Sequence, residues 1–200
     1  TLVFDGRMWV LGGRTGTSQA SEPFWFHNDV HWSTDGLTWR LMTRHAQWGR
    51  RCSHAAAVFN GRMWVMGGTW VDGTLRQCYS NDIWISSNGA EWTFVGLAPW
   101  SPRADHAAVV HKGRLYVLGG QSGTISYHSD VWSTPDGVNW RKEADGVFDS
   151  AEARGLAAPA VVSYNGNILV VGGEGVNRTP GSVYDHFIWR VVWSSADGRT

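Results

Sequence analysis

Asn60-Gly61-Arg62-Met63-Trp64-Val65-Met66-Gly67-Gly68 is the stretch that decides how this chain folds. Asn-Gly tolerates the positive φ of a tight hairpin turn, so a strand begins right after it. Met63 to Met66 form an apolar run with no polar alternation, as in a strand covered on both faces. A glycine doublet ends the run. The arrangement returns as Gly6-Arg7-Met8-Trp9-Val10-Leu11 before Gly12-Gly13 and as Gly113-Arg114-Leu115-Tyr116-Val117-Leu118 before Gly119-Gly120. It returns once more as Gly166-Asn167-Ile168-Leu169-Val170-Val171 before Gly172-Gly173. The doublets lie 55, 52 and 53 residues apart. A fixed period of about 50 residues marks repeated supersecondary units.

Working outward, each unit carries a second cassette. Asp29-Val30-His31-Trp32 leads to Asp35-Gly36 and Trp39, and Asp82-Ile83-Trp84-Ile85 leads to Asn88-Gly89 and Trp92. Asp130-Val131-Trp132-Ser133 leads to Asp136-Gly137 and Trp140, while Val191-Val192-Trp193-Ser194 reaches Asp197-Gly198 and stops before its tryptophan. Upstream of the apolar run stands a further strand, His54 to Phe59 or His106 to Val110. Each unit thus supplies four short antiparallel strands. Radial repetition of such sheets is an all-β architecture, the β-propeller, with four blades here at about 1–45, 46–98, 99–148 and 149–200. Thr1 opens inside a strand-like run and the last cassette is short, so further blades or domains are expected outside these residues.

The turn, strand, glycine doublet, aromatic and closing Trp resemble kelch repeats, including those of the galactose oxidase propeller, over nearly the whole chain. Trp48 with Arg51 and His54, and Trp100 with Arg103 and His106, match the same pattern. The fourth unit departs: Pro159 stands in the histidine's place and Arg154 is displaced by two positions. The Ser33-to-Trp39 hairpin resembles the Asp-box of sialidases, one residue short, and is read as a shared hairpin solution rather than kinship in activity.

The 17 basic and 17 acidic side chains cancel, which argues against a nucleic-acid partner bound by charge. No run approaches the roughly 18–20 apolar residues of a membrane helix, so membrane insertion is not expected. Fourteen tryptophans are far above ordinary usage, and the repeat explains most of them. A residue recurring at one register in every unit serves packing, and single-copy chemistry must come from residues that do not recur. That criterion assigns Trp39, Trp84, Trp92, Trp132, Trp140, Trp193, His54, His106, Arg51 and Arg103 to the scaffold.

Strand direction places the segments between strands two and three on one face with the unit linkers. These segments, Arg14–Asn28, Thr69–Asn81, Gln121–Ser129 and Glu174–Arg190, all differ. Variable loops on a rigid frame are where binding is built. The candidate ligand residues are therefore Trp25, Phe26, His27, Trp70, Arg76, Tyr127, His128, Arg178 and Tyr184. Aromatics beside arginine suit a protein partner, and aromatic faces also stack on sugars, so a protein or glycan ligand is expected.

A Cys52–Cys78 disulfide is feasible by strand count and would mean an oxidising compartment; two thiols in a cytosol is the other reading. Asn177-Arg178-Thr179 is a candidate glycosylation site ahead of Pro180. These features tilt the expectation toward the extracellular side or cell surface, with a cytoplasmic location as the alternative. Neither the Tyr–Cys and His set of a copper oxidase nor the three-Arg clamp of a sialidase is assembled by any motif. No phosphate loop, metal-ligand spacing or nucleophile triad occurs, so no cofactor or metal is expected and a non-catalytic binding module is favoured over an intracellular adaptor or an enzyme's propeller.

Overall fold

A computed structural model describes residues 1–16, 25–74, 76–123, 125–177 and 186–199. The chain divides into two units, Thr1–Leu97 and Ala98–Thr200. Among the described residues every element is a strand, and no helix is long and apolar enough to cross a membrane.

The first unit holds two four-stranded antiparallel sheets. Blade one is β1 (Leu2–Phe4), β2 (Arg7–Thr15), β3 (Trp25–Ser33) and β4 (Arg40–Thr43), in that order. Blade two is β5 (Ala55–Phe59), β6 (Arg62–Val71), β7 (Gln77–Ser86) and β8 (Thr93–Leu97). The second unit begins with blade three, a sheet of β9 (Ala107–His111), β10 (Arg114–Leu118), β11 (Val131–Thr134) and β12 (Arg141–Ala144). Its last blade departs from the expected four strands. β14 (Ala160–Tyr164), β15 (Asn167–Val171) and β18 (Val192–Ser195) form one sheet, and β13 (Ala153–Ala157), β16 (Glu174–Asn177) and β17 (His186–Ile188) another. The difference is local: the linker of blade two pairs with the backbone of β6 at the Cys52–Thr69 bridge, whereas in blade four this pairing lengthens into β13–β16.

Hairpins follow the turn chemistry. Asn60, Lys112 and Asn165 take positive φ ahead of their glycines. Between strands three and four, the Ser33 hydroxyl accepts from the Gly36 amide at 2.9 Å, and one Asp35 carboxylate oxygen accepts from Leu37 and Thr38 at 2.8 Å each. Those amide bonds hold the Asp35 carboxyl down to about 2. Ser86 with Asn88 and Thr134 with Asp136 repeat the device, and Ser195 bonds the Gly198 amide in the same way.

The glycine doublets have two separate reasons. A Cβ on Gly12 would lie 3.0 Å from the Trp48 ring, which belongs to the next blade's linker. A Cβ on Gly68 would lie 2.8 Å from His54, in the lead-in to its own blade. The first glycine admits the following blade and the second admits its own. The linker is pinned there by Gly13 N–H to the Arg51 carbonyl at 2.9 Å and Arg51 N–H to the His27 carbonyl at 3.0 Å.

Recurring side chains form a polar clasp. Arg103, 1% exposed, donates to both Asp130 oxygens at 2.5 and 3.0 Å and to the Gly119 carbonyl at 2.7 Å, and the Trp132 indole N–H adds a bond to Asp130 at 2.8 Å. Arg51, Gly67, Asp82 and Trp84 repeat it in blade two. Burial raises the Asp82 and Asp130 carboxyls, but their arginines outweigh it and leave both below the usual range. In blade four the clasp is gone. Leu156 takes the arginine's place, its amide bonded to His128 and its carbonyl to Gly120, as Arg51 is to His27 and Gly13 in blade two. Val191, 45% exposed, takes the aspartate's place and Leu156 is fully buried, so both charges of the pair are absent together.

Each unit has a core between its two blades. Trp9, Leu11 and Val30 pack on Trp48, Met63, Val65 and Trp92 in the first. Tyr116, Leu118 and Val131 pack on Phe148, Leu156, Ile168 and Val170 in the second. Trp92 meets Trp48 edge-on at 5.8 Å and Trp140 meets Trp100 at 4.4 Å, both at 88°.

Candidate functional site

Three of the segments read from sequence as variable loops are, in their described part, mostly strand, while Gln121–Ser129 holds only isolated bridges. β2 and β3 stay paired beyond the first doublet, with Gly13 opposite His27, Arg14 opposite Phe26 and Thr15 opposite Trp25. β6 and β7 do the same, with Thr69 opposite Tyr79 and Trp70 opposite Cys78. Beyond this pairing the Asp72 carboxylate accepts from the Thr74 amide and hydroxyl and from the Arg76 amide.

Pairing reveals a register that the sequence hid. Phe26, Tyr79 and Tyr127 all stand opposite the residue after the doublet, so an aromatic recurs there in three blades. His27 and His128 likewise share the position facing the second glycine. By the recurrence criterion these side chains belong to the frame. Tyr127 covers Gly155 and donates to Glu174 at 3.2 Å. His128 bonds Ser122 at 3.1 Å, and burial, helped by Arg103, lowers its imidazole to about 4.

What remains gathers in the first unit. A groove of about 560 Å³ is walled by Trp25, Phe26 and Trp70, with Arg50 at its rim and the Arg51–Asp82 pair at its floor. Trp25 is 58% exposed. The floor pair is neutral as a unit, since Arg51 grips Asp82 at 2.6 and 2.7 Å. The groove therefore presents two indoles, a phenyl ring and the exposed Arg50 charge. Arg50 was missed in the sequence, although its counterpart after Trp100 is Pro102 and non-recurrence marks it. Arg76 is exposed beside Asp72 and does not line this groove, and His27 instead bonds Thr15 at 2.9 Å. Tyr127 and His128 sit in the other unit. Arg178 and Tyr184 lie outside the described residues, and Asn177 ends β16.

Cys52 and Cys78 are thiols, not the disulfide that strand counting allowed. Cys52 pairs with Thr69 on one side of β6 and Cys78 pairs with Trp70 on the other. Two strand spacings, about 10 Å, separate such positions, beyond the reach of a disulfide.

Sheets of this kind, joined by linkers seated on glycine doublets, define a β-propeller repeat module. The sequence matches the model of the KLHDC2/KLHL20/DRC7 Kelch-repeats domain over residues 1–195. The chain belongs to that kelch-repeat family. It is similar to spermatocyte protein spe-26 of Caenorhabditis elegans, 23% identical over 191 residues, covering 89% of this chain and 30% of that protein. It is also similar to the leucine-zipper-like transcriptional regulator 1 homolog of Drosophila melanogaster, 24% identical, covering 96% of this chain and 20% of the relative. Kelch-like protein 15 of Danio rerio is 24% identical, covering 70% of this chain and 25% of the relative. The chain thus spans less than a third of the length of these relatives. Among solved structures, that of YjhT aligns with a TM-score of 0.75 at 17% identity, covering 99% of this chain and 67% of that one, and carries the same fold.

Proposed function

We propose that this chain is a non-catalytic recognition module that holds a protein partner in the Trp25–Arg50–Trp70 groove. The observation that carries this is the meeting of three non-recurring side chains, from β3, the linker and β6, on a frame that does not need them. Two indoles flanking an arginine give the rigid apolar contact and directed charge that protein hot spots use. An extended peptide with an aromatic or large aliphatic anchor next to an acidic residue fits: the anchor lies between the indoles and the carboxylate meets Arg50.

The kelch relatives favour a protein over a glycan ligand, and the adaptor reading over the extracellular one, because the disulfide that pointed outside the cell is not formed. The test selects binders from a random peptide library and measures them by calorimetry against Trp25→Ala, Trp70→Ala and Arg50→Glu. Each variant should keep its melting temperature and lose at least about tenfold in affinity. Selected peptides that bind all three variants as well as the parent would refute the site. Glycan-array binding abolished by the same variants would transfer the groove to a sugar.

A further inference from the structure

The C-terminal end of β6 has a backbone edge that opens into the groove between blades one and two, inside the first unit. Thr69 donates to the Cys52 carbonyl at 2.9 Å and accepts from the Cys52 amide at 3.0 Å, so its backbone groups point to the linker and away from β7. The Asp72 amide bonds the Arg76 carbonyl at 3.0 Å, so Asp72 points the other way. Backbone direction alternates along an antiparallel strand, which puts Trp70 with Asp72 and Val71 with Thr69. The Val71 amide and carbonyl therefore point to the linker side, where the linker's single bridge to β6 has already ended. Among the described residues nothing is bonded to them on that side. Val71 lines the Trp25–Arg50–Trp70 groove, so this edge forms part of its wall.

Blade four fills the matching place with the chain itself. Glu174, Gly175 and Val176 follow its doublet where Thr69, Trp70 and Val71 follow that of blade two. Ala157 pairs with Glu174 as Cys52 pairs with Thr69, but the longer linker runs on along the strand, with Arg154 opposite Val176 and Ala153 opposite Asn177. Both linkers start from one anchor, the Ala46 amide on the Asn28 carbonyl and the Val147 amide on the Ser129 carbonyl. Six positions separate Ala46 from Cys52, and ten separate Val147 from Ala157. The shorter linker leaves the place opposite Val71, which Arg154 takes opposite Val176, to another chain. Among the described residues of blade three no strand continues beyond Gln121, which pairs with Ala104 and Tyr127.

We infer that the peptide held in the groove is an added strand, running antiparallel to β6 as β13 runs to β16, with one residue exchanging both backbone bonds with Val71. The inference rests on the groove reading above and adds to it the partner's conformation, direction and register. A helical segment has its backbone groups engaged internally and cannot serve this edge. Proline is excluded from the partner position facing Val71, because it brings no amide N–H. The indoles and Arg50 then select side chains, and Val71 selects an extended backbone.

The probes are library peptides that bind the parent chain and lose binding to Trp25→Ala. Methylating their backbone nitrogens one at a time should weaken binding to the parent chain by at least about tenfold at alternate residues and by less than about threefold between them. On the protein, Val71→Pro removes the amide donor and should bind at least about tenfold more weakly than Val71→Ala, which keeps it. Far-UV circular dichroism checks that both variants fold, and the methylation scan decides alone if Val71→Pro does not. A nitroxide at the peptide's amino terminus should broaden the Gly73 amide resonance more than that of Gly49. Losses without alternation, equal binding by folded Val71→Pro and Val71→Ala, or a reversed nitroxide gradient would each overturn the added strand and leave the groove reading in place. A library with no peptide that needs Trp25 would overturn the groove reading, and the strand with it.

Discussion

Replacing both members of the Arg103–Asp130 clasp by the apolar residues that blade four carries at those positions should cost far less than breaking it. Arg103→Leu leaves the Asp130 carboxylate, 11% exposed, with the Trp132 indole N–H but no counter-charge, and strips partners from the Gly119 and Ser101 carbonyls. Asp130→Val leaves a guanidinium that is 1% exposed without its counter-charge. Removing one partner of a buried pair costs about 3–5 kcal/mol, so each single variant should lose that much. The double variant buries no uncompensated charge. It still forgoes the bonds to the two carbonyls and to the Trp132 indole, at about 1 kcal/mol each or less, so its loss should be about 1–3 kcal/mol. Urea unfolding followed by tryptophan fluorescence gives all four corners of the cycle, read from shifts in midpoint at constant slope. A coupling of at least about 2 kcal/mol is expected. If the double variant loses the sum of the two singles, the pair is not acting as a unit and the account of blade four's Leu156 and Val191 fails.

The tryptophans should separate by joint rather than by motif. Trp92→Ala should cost about 3–5 kcal/mol in unfolding free energy, while Trp39→Ala, at the same register but 41% exposed, should cost about 1–2. Stability should also fall in mildly acid solution. Burial, reinforced by the Arg51 charge, holds His54 down to about 3, and burial holds His128 down to about 4, so the unfolded chain takes protons near pH 6.5 that the folded chain refuses. His54 therefore removes up to about 1.4 kcal/mol per pH unit below about 6.5 and His128, screened by solvent, less, whereas the depressed Asp82 and Asp130 give up their contribution only below about pH 4. Urea midpoints between pH 7 and 5 should drop, and His54→Gln should flatten that slope. An unchanged slope would mean the imidazole is not desolvated.

The hairpins, the four apolar runs and the doublets were legible because turn chemistry and period are local properties. The division of labour within a doublet was not, since the groups crowding Gly12 and Gly68 are set by packing. The segments between strands two and three looked like loops because their residues vary. Variation there reflects one free face of a paired hairpin, and only the pairing shows that Phe26, Tyr79 and Tyr127 share a register. Arg50 was overlooked for a related reason: it sits beside the recurring Arg51 in the linker, and attention went to the hairpins. The recurring tryptophan motif could not tell Trp39 from Trp92, because their difference lies in what the neighbouring blade supplies.

The doublet has a practical corollary for anyone wishing to cut, graft or shuffle these sheets. Gly12 is small for the sake of Trp48, 36 positions further along, whereas Gly68 is small for the sake of His54 behind it. The two requirements lie end to end in the linker: a cut ahead of Trp48 parts Gly12 from the ring it makes room for, and a cut beyond His54 parts Gly68 from its own group. A junction at 49–51 leaves both glycines with their partners, whereas a segment cut elsewhere brings half a fitting that the host must complete.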